Sequence, residues 1–357
     1  MSEIQASISI VVIETTQDLM ASISLKKPYL LMIGDIANKA HAKTALGLRD
    51  WAGDDCLGQL RMSADAVDTG LPDMTIDEAV AAGARTLVIG IAPLGGQLPE
   101  HWHPVLANAI RAGLDLAAGL HQRLSDISML SGLATAHGRS IHDVRHSTAS
   151  FPVGTGLKRA GRRLLTVGTD CALGKKYTAL TIARAMQAKG LAATFRATGQ
   201  TGILIAGEGV AVDAVVADFI SGTAEALSPA NDPDHWDVIE GQGSLFHPSY
   251  AGVTLGLLHG SQPDALVLCH DPSRTTMLAL PHVPSPQIDG AFEPYLMAAR
   301  VTNEAARFVG VSLNTSALGN DEAVELIERV SHKTGLPCVD PLRTGVEPIV
   351  AELASWS

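Results

Sequence analysis

Residues 162–190, RRLLTVGTDCALGKKYTALTIARAMQAKG, decide the fold of this chain. Leu164 to Val167 form a short apolar run that reads as a buried strand. GTDCALGK, 168–175, is a loop bounded by Gly168 and Gly174. KYTALTIARAMQAKG then has helical character and stops at Gly190. Strand, glycine loop, lysine and helix in this order make a phosphate cradle. The loop amides point inward, the helix N-terminus adds partial positive charge, and Lys175 adds a full one. The anion-binding residues expected here are Gly168, Thr169, Gly174, Lys175, Lys176 and Tyr177.

Five residues separate Gly168 from Gly174, where the common form of the motif has four. The longer form, G-T-D-x-x-x-G-K-T, belongs to the dethiobiotin-synthetase group of P-loop proteins, which GTDCALGKK resembles. One position departs from the pattern. The residue after the cradle lysine is normally Ser or Thr, whose hydroxyl binds Mg²⁺; here it is Lys176. An ammonium ligates no metal, and Thr178 lies about 200° around the helix. Two lysines instead suit a diphosphate held without metal.

Further apolar runs continue the pattern downstream. WDVIEGQG (236–243) is a strand ending in Glu240 and glycines; DALVLC (264–269), FVGVSLN (308–314) and GLPCVD (335–340) are further buried strands. Upstream, YLLMIGDI (29–36), TLVIGIA (86–92) and LDLAAGL (114–120) read as strands. NKAHAKTALGLRDWA, TIDEAVAAGA, HPVLANAIRAGL and ISMLSGLATAHG between and after them read as helices. Alternation of this kind means parallel sheets with helical crossovers. No G-x-G-x-x-G follows any early strand, so a dinucleotide has little support, and Gly95-Gly96 reads as a turn. Residues 146–163, rich in Ser, Thr, Gly and basic side chains, read as a domain edge. The expected fold is α/β, with a Rossmann-like domain over 1–148 and a P-loop NTPase-like parallel-sheet domain over 149–357.

Composition agrees. The 357 residues suit two domains, and 46% hydrophobic against 18% charged residues excludes a disordered chain. With 37 acidic and 26 basic residues the net charge is −11, which argues against binding a nucleic-acid backbone. Cys56, Cys171, Cys269 and Cys338 are too scattered for a zinc site or disulfide frame and read as reduced thiols. The opening MSEIQASISIVVIETTQ has no basic leader, with Glu3 and Glu14 around a short apolar run. No stretch reaches the roughly 18 apolar residues of a membrane span. A cytoplasmic protein with no membrane partner is expected.

GTDCALGKKYT, RATGQTGILIAGEGVAVDAVVADFISGTAE, EGQGSLFHPSYAGVTLGLLHG and DALVLCHDPSR together resemble a P-loop family formerly of unknown function that includes D-glutamate N-acetyltransferases. GDIANKAHAKTALGL and VIGIAPLGGQLPE extend the resemblance over nearly the whole chain. It implies acetyl transfer from acetyl-CoA, as co-substrate and without a metal, to the amino group of D-glutamate, and a homo-oligomer is expected. Such a reaction needs a coenzyme A site, a proton acceptor and an oxyanion stabiliser. The cradle answers the first need. Glu240, His247 and Asp170 are the candidate bases, and Arg196, Thr198, Gln200, Thr201 and Arg274 the candidates for holding the substrate carboxylates. Arg196 has an alternative in pairing with Asp213 or Asp218, and Cys171 reads as a small loop residue. His101 and His103 lack a third metal ligand and read as a polar helix start. An ATP- or GTP-dependent ligase or kinase, and a non-catalytic nucleotide sensor, stay open as rivals.

Overall fold

The structure, a computed structural model, describes residues 25–91, 96–146 and 150–356. The N-terminal stretch with Glu3 and Glu14, Gly95, and the boundary expected at 148/149 lie outside the described residues.

The first sheet is wholly parallel, in the order β2-β1-β3-β4-β5. Its strands are β1 (Tyr29–Gly34), β2 (Cys56–Arg61), β3 (Thr86–Ile89), β4 (Asp115–Ala118) and β5 (Ile141–Asp143). β1, β3 and β4 are buried along their whole length, as their largely apolar runs lead one to expect, and the one buried charge, Asp115 at the start of β4, is paired with Lys26. β2 escapes the sequence reading because CLGQLR is an edge strand with a polar, half-exposed end. The helices are α1 (Lys43–Trp51), α2 (Ile76–Ala81), α3 (His103–Arg111) and α4 (Ser128–His137). A reciprocal Thr75–Glu78 capping box starts α2. The helix expected from Asn38 begins as a 3₁₀ turn, Lys39–His41, before α1. Gly96, at φ +64°, makes the expected turn, closed against His121.

The second sheet holds β6 (Arg162–Gly168), β7 (Ala193–Arg196), β8 (Trp236–Ile239), β9 (Ala265–His270), β12 (Arg307–Leu313) and β13 (Cys338–Val339). Their order is β13-β12-β9-β6-β8-β7, again all parallel. A hairpin of β10 (Thr276–Met277) and β11 (Leu280–Pro284) projects after β9. The helices that matter for the site are α5 (Lys175–Ala188), α6 (Gln200–Ala206), α7 (Ile220–Leu227) and α8 (Ala251–Ser261). Three more, α9 (Phe292–Arg300), α10 (Asn320–Thr334) and α11 (Glu347–Ala354), complete the cover.

The two halves share a core. Leu180, Ile203, Leu204 and Ile205 from the second half lie in the same apolar cluster as Leu48, Ile89 and Leu116 of the first. Each buried Ile or Leu contributes about 1.5–3 kcal/mol, so the apolar contact outweighs the exposed ion pairs nearby. α6 lies along α1, Trp51 stacks 5.9 Å from Tyr177, and the Arg184 guanidinium sits 4.6 Å from the Trp51 ring. This seam brings α1 beside the start of α5.

Candidate functional site

In the second sheet the winding reverses at β6, which has β8 on one side and β9 on the other. Ligands of open α/β sheets collect at such a point, beyond the carboxyl ends of the strands. The loop 168–174 leaves β6 there. Ala172 at φ +53° and Gly174 at φ +108° turn the chain into α5, whose first turn has neither a side-chain cap nor an acidic residue. Such a helix start, with no acidic side chain to meet its amides, suits a bound anion. Lys175 is buried and its Nζ donates to the Asp170 carbonyl at 2.8 Å, while burial pushes the ammonium below its ordinary range. Thr169 shares a 2.8 Å hydrogen bond with His270 Nδ1, and Tyr295 donates to the Gly168 carbonyl at 2.7 Å. Behind the loop, Thr166 Oγ1 accepts the Gly241 amide at 2.9 Å; a Cβ at Gly241 would lie 1.7 Å from the Thr166 carbonyl oxygen. Only glycine lets the segment after β8 come this close.

Asp170 and His247 sit on the other flank of the loop. Asp170 Oδ2 accepts from Arg274 Nη1 at 3.0 Å and from the Leu278 amide at 2.7 Å; Oδ1 accepts the Cys171 amide at 2.6 Å. Arg274 also donates to the Cys171 carbonyl at 2.6 Å. His247 accepts the Ser249 amide at Nδ1, 3.2 Å, and donates from Nε2 to the Leu278 carbonyl, 3.1 Å. Both therefore clamp the β10–β11 turn onto the cradle, and the imidazole keeps no free lone pair with which to take a proton. Arg274, expected on a substrate carboxylate, is engaged by the protein's own carboxylate. Ligand atoms of Asp170, Cys171 and His247 lie within 4.8 Å of one another. The Arg274 guanidinium on Asp170 and the thiol of Cys171, pushed up by burial, make this a poor home for a cation. Thr178 does not replace the missing Mg²⁺ hydroxyl: it bonds the Gly174 carbonyl at 3.1 Å and Ser312 at 2.8 Å.

Glu240 is different. Its side chain is buried, and Oε2 accepts the amides of Thr198 at 3.1 Å and Gly199 at 3.2 Å, just before α6. Desolvation raises its pKa to about 7, against the opposing pull of Lys176 and the two amides. A Cβ at Gly202 would lie 2.3 Å from Oε2, so α6 starts with glycines because this carboxyl occupies the space. A carboxyl that titrates near neutrality is suited to exchanging protons with a substrate.

Besides Arg274, three more of the residues expected to bind substrate have partners within the protein. Arg196 Nε bonds buried Asp237 at 2.7 Å, and its Nη1 lies 3.9 Å from Glu208. Neither Asp213 nor Asp218 pairs with it, since Asp213 is taken by Arg145. Arg196 is thus a link across neighbouring strands and does not reach the cradle. Thr198 is buried, and its hydroxyl donates to the Glu240 carbonyl at 2.6 Å. Gln200 Oε1 accepts from Arg145 at 2.8 Å. Thr201, by contrast, reaches the seam, where its hydroxyl meets that of Thr44 at 3.3 Å. Lys176 points there too, 4.7 Å from the centre of its neighbour Tyr177's ring and next to Gly47 of α1. Neither Lys176 nor Tyr177 turns into the cradle. His101 bonds Asp35 at 2.8 Å, as a polar surface residue would. Arg145, Thr44, Gly47, Tyr295 and Leu278 were not legible as site residues, because each lies in a different stretch with no motif of its own.

Two doubly wound parallel sheets, a lysine-bearing glycine loop at the end of β6 and a buried carboxyl after β8 define a P-loop protein. The chain belongs to the DUF1611 family. Residues 152–350 match the domain of unknown function DUF1611_C, a P-loop domain, and residues 58–147 match DUF1611_N, a Rossmann-like domain. The chain is 50% identical over 331 residues to a D-glutamate N-acetyltransferase of Tritonibacter scottomollicae, covering 93% of this chain and 99% of that one. It is likewise 50% identical to a D-glutamate N-acetyltransferase of a Pseudoalteromonas species, over 92% and 99%. A crystal structure of a DUF1611 family protein from Anabaena variabilis superposes with a TM-score of 0.83 at 34% identity, over 92% of this chain and all of the other. Among the described residues no helix is long and apolar enough to cross a membrane.

Proposed function

We propose that the chain is a D-glutamate N-acetyltransferase using acetyl-CoA and no metal. The observation that carries this reading is the 50% identity, over almost their whole length, to two relatives of that name. The site supports it. The free amides at the start of α5 and the Lys175 ammonium suit the diphosphate of coenzyme A, which needs charge neutralisation and no phosphoryl transfer. Lys176 in the place of the Mg²⁺-binding hydroxyl agrees with a metal-independent reaction. When bound, acetyl-CoA supplies an acyl carbon activated as a thioester. The substrate ammonium gives up one proton to become a nucleophilic amine, the amine forms the new C–N bond as the C–S bond breaks, and its second proton goes to the departing thiolate, which leaves as the coenzyme A thiol. Glu240, whose burial raises its carboxyl to about 7, takes that first proton. The amides of Thr198 and Gly199 hold its oxygen in place. A cytoplasmic location accompanies this reading, since acetyl-CoA is an intracellular metabolite and all four cysteines are free thiols.

The test follows release of the coenzyme A thiol with a thiol-reactive dye. Thiol release with D-glutamate, together with the mass of N-acetylglutamate in the product, is expected. Thiol release absent with D-glutamate, or turnover only with Mg·ATP, would overturn the reading.

A further inference from the structure

The two lysines that open α5 take opposite directions. Lys175 folds back under the cradle loop and donates to the Asp170 carbonyl at 2.8 Å. Lys176 leaves the cradle for the seam between the two halves. Its side chain is half-buried, and its ammonium makes no hydrogen bond or ion pair among the described residues; its one contact of note is the Tyr177 ring at 4.7 Å. α1 is shaped around it. A Cβ at Gly47 would lie 3.0 Å from Lys176 Nζ and 2.9 Å from Thr201 Cγ2. The hydroxyls of Thr44 and Thr201 meet 3.3 Å apart on the same side. Deeper in, Glu240 is the carboxylate that acts most strongly on Lys176, and Lys176 the cation that acts most strongly on Glu240; Asp50 and Lys43 are the other charges felt there.

An ammonium partly withdrawn from water with no protein partner is costly unless an anion completes it. The cradle already holds its own lysine, so a second phosphate ligand is not what Lys176 lacks. An amino acid with two carboxylates matches the seam better: a carboxylate for Lys176 and the threonine hydroxyls, and an amino group for Glu240. We propose that Lys176 anchors a carboxylate of the amino-acid substrate at the seam, between α1 and the start of α5, and takes no part in phosphate binding. The inference rests on the transferase reading and extends it, because it assigns the selection of a dicarboxylic amino acid to a named residue.

The experiment compares wild type, Lys176→Met and Lys176→Arg, by steady-state kinetics and by calorimetric titration with D-glutamate and, separately, with acetyl-CoA. Lys176→Met should raise the KM for D-glutamate about 10- to 100-fold, the range for losing a charged hydrogen bond. The KM and Kd for acetyl-CoA should stay within about twofold, and Lys176→Arg should recover part of the D-glutamate affinity. The preference for D-glutamate over D-norvaline, which lacks the side-chain carboxylate, should shrink in Lys176→Met. A rise in the acetyl-CoA constants with D-glutamate unaffected would return Lys176 to the cradle and overturn the proposal. If the wild type binds D-glutamate but acetylates nothing, the transferase reading fails, and loss of that binding in Lys176→Met still supports the anchor. A wild type that binds no D-glutamate overturns the anchor.

Discussion

The cradle and the seam are built from adjacent residues of one helix start, yet they neutralise charge by different means. In the cradle, free amides and a buried lysine are held in place by the loop's own backbone, as in Lys175 to the Asp170 carbonyl. Arg274 and the β10–β11 turn, the latter held by His247, brace that loop from outside through Asp170. In the seam the polar groups are side chains from separate stretches: Thr44 on α1, Lys176 on α5, Thr201 on α6 and Glu240 after β8. The lesson is a division of labour. A preformed backbone site can hold any anion of the right size, whereas a site made of side chains across a domain boundary can select one substrate and move its proton.

The strongest break of this division is Glu240→Gln. Removing the proton acceptor should lower kcat by about 10²–10⁴-fold with acetyl-CoA binding intact. Because the carboxylate is the active form and the pKa is about 7, wild-type kcat/KM should fall as pH drops through that value. The variant should lack this limb. A limb that persists would move the base elsewhere.

The same variant tests the energetics of the buried carboxyl. The pKa of Glu240 is raised from 4.5 to about 7, so the folded state holds the proton more tightly than the unfolded state. Its contribution to stability is fully present below about pH 4.5 and is lost as pH rises through about 7. Glu240→Gln should therefore match wild type at low pH and exceed it at pH 8, by at most about 3 kcal/mol. Urea unfolding at pH 5 and pH 8 measures this; an equal difference at both would contradict the burial argument.

Lys175→Ala probes the cradle alone. A charged hydrogen bond to phosphate contributes about 1.5–3 kcal/mol, so the KM for acetyl-CoA should rise 10-fold or more and that for D-glutamate should hardly move. Unchanged acetyl-CoA binding would place the coenzyme elsewhere.

His247→Ala is expected to be milder. It removes the hydrogen bond to the Leu278 carbonyl that fixes the hairpin turn and the one from the Ser249 amide within its own segment, so thermal stability should drop by a few degrees while kcat falls less than about tenfold. A 10²-fold loss of kcat together with disappearance of the acidic limb of the kcat/KM profile would make the imidazole the base after all. The smallest effect belongs to EDTA, which should leave the rate within about twofold. Complete loss, restored by Mg²⁺, would favour phosphoryl chemistry at the cradle.

The cradle was legible because strand, glycine loop, lysine and helix are consecutive, and local backbone geometry alone brings their polar groups together. Glu240 was visible as a carboxylate at a strand end, but its rank over His247 was not, since it depends on which hydrogen bonds each makes in the fold. Arg196 misled for the same reason: its partner Asp237 lies 41 residues away on the adjacent strand. Lys176 was read with the cradle because it follows Lys175, and only the packing of α1 and α6 against α5 shows the direction it takes.

The sequence by itself determined the α/β class, the parallel winding and the anion cradle, because each follows from hydrophobic periodicity or from a run of neighbouring residues. Only the tertiary structure decided which charged side chains were already paired and which were left for a ligand. Pairing depends on groups that are distant along the chain, and desolvation, which pushes Glu240 up and Lys176 down, exists only once the chain has folded around them.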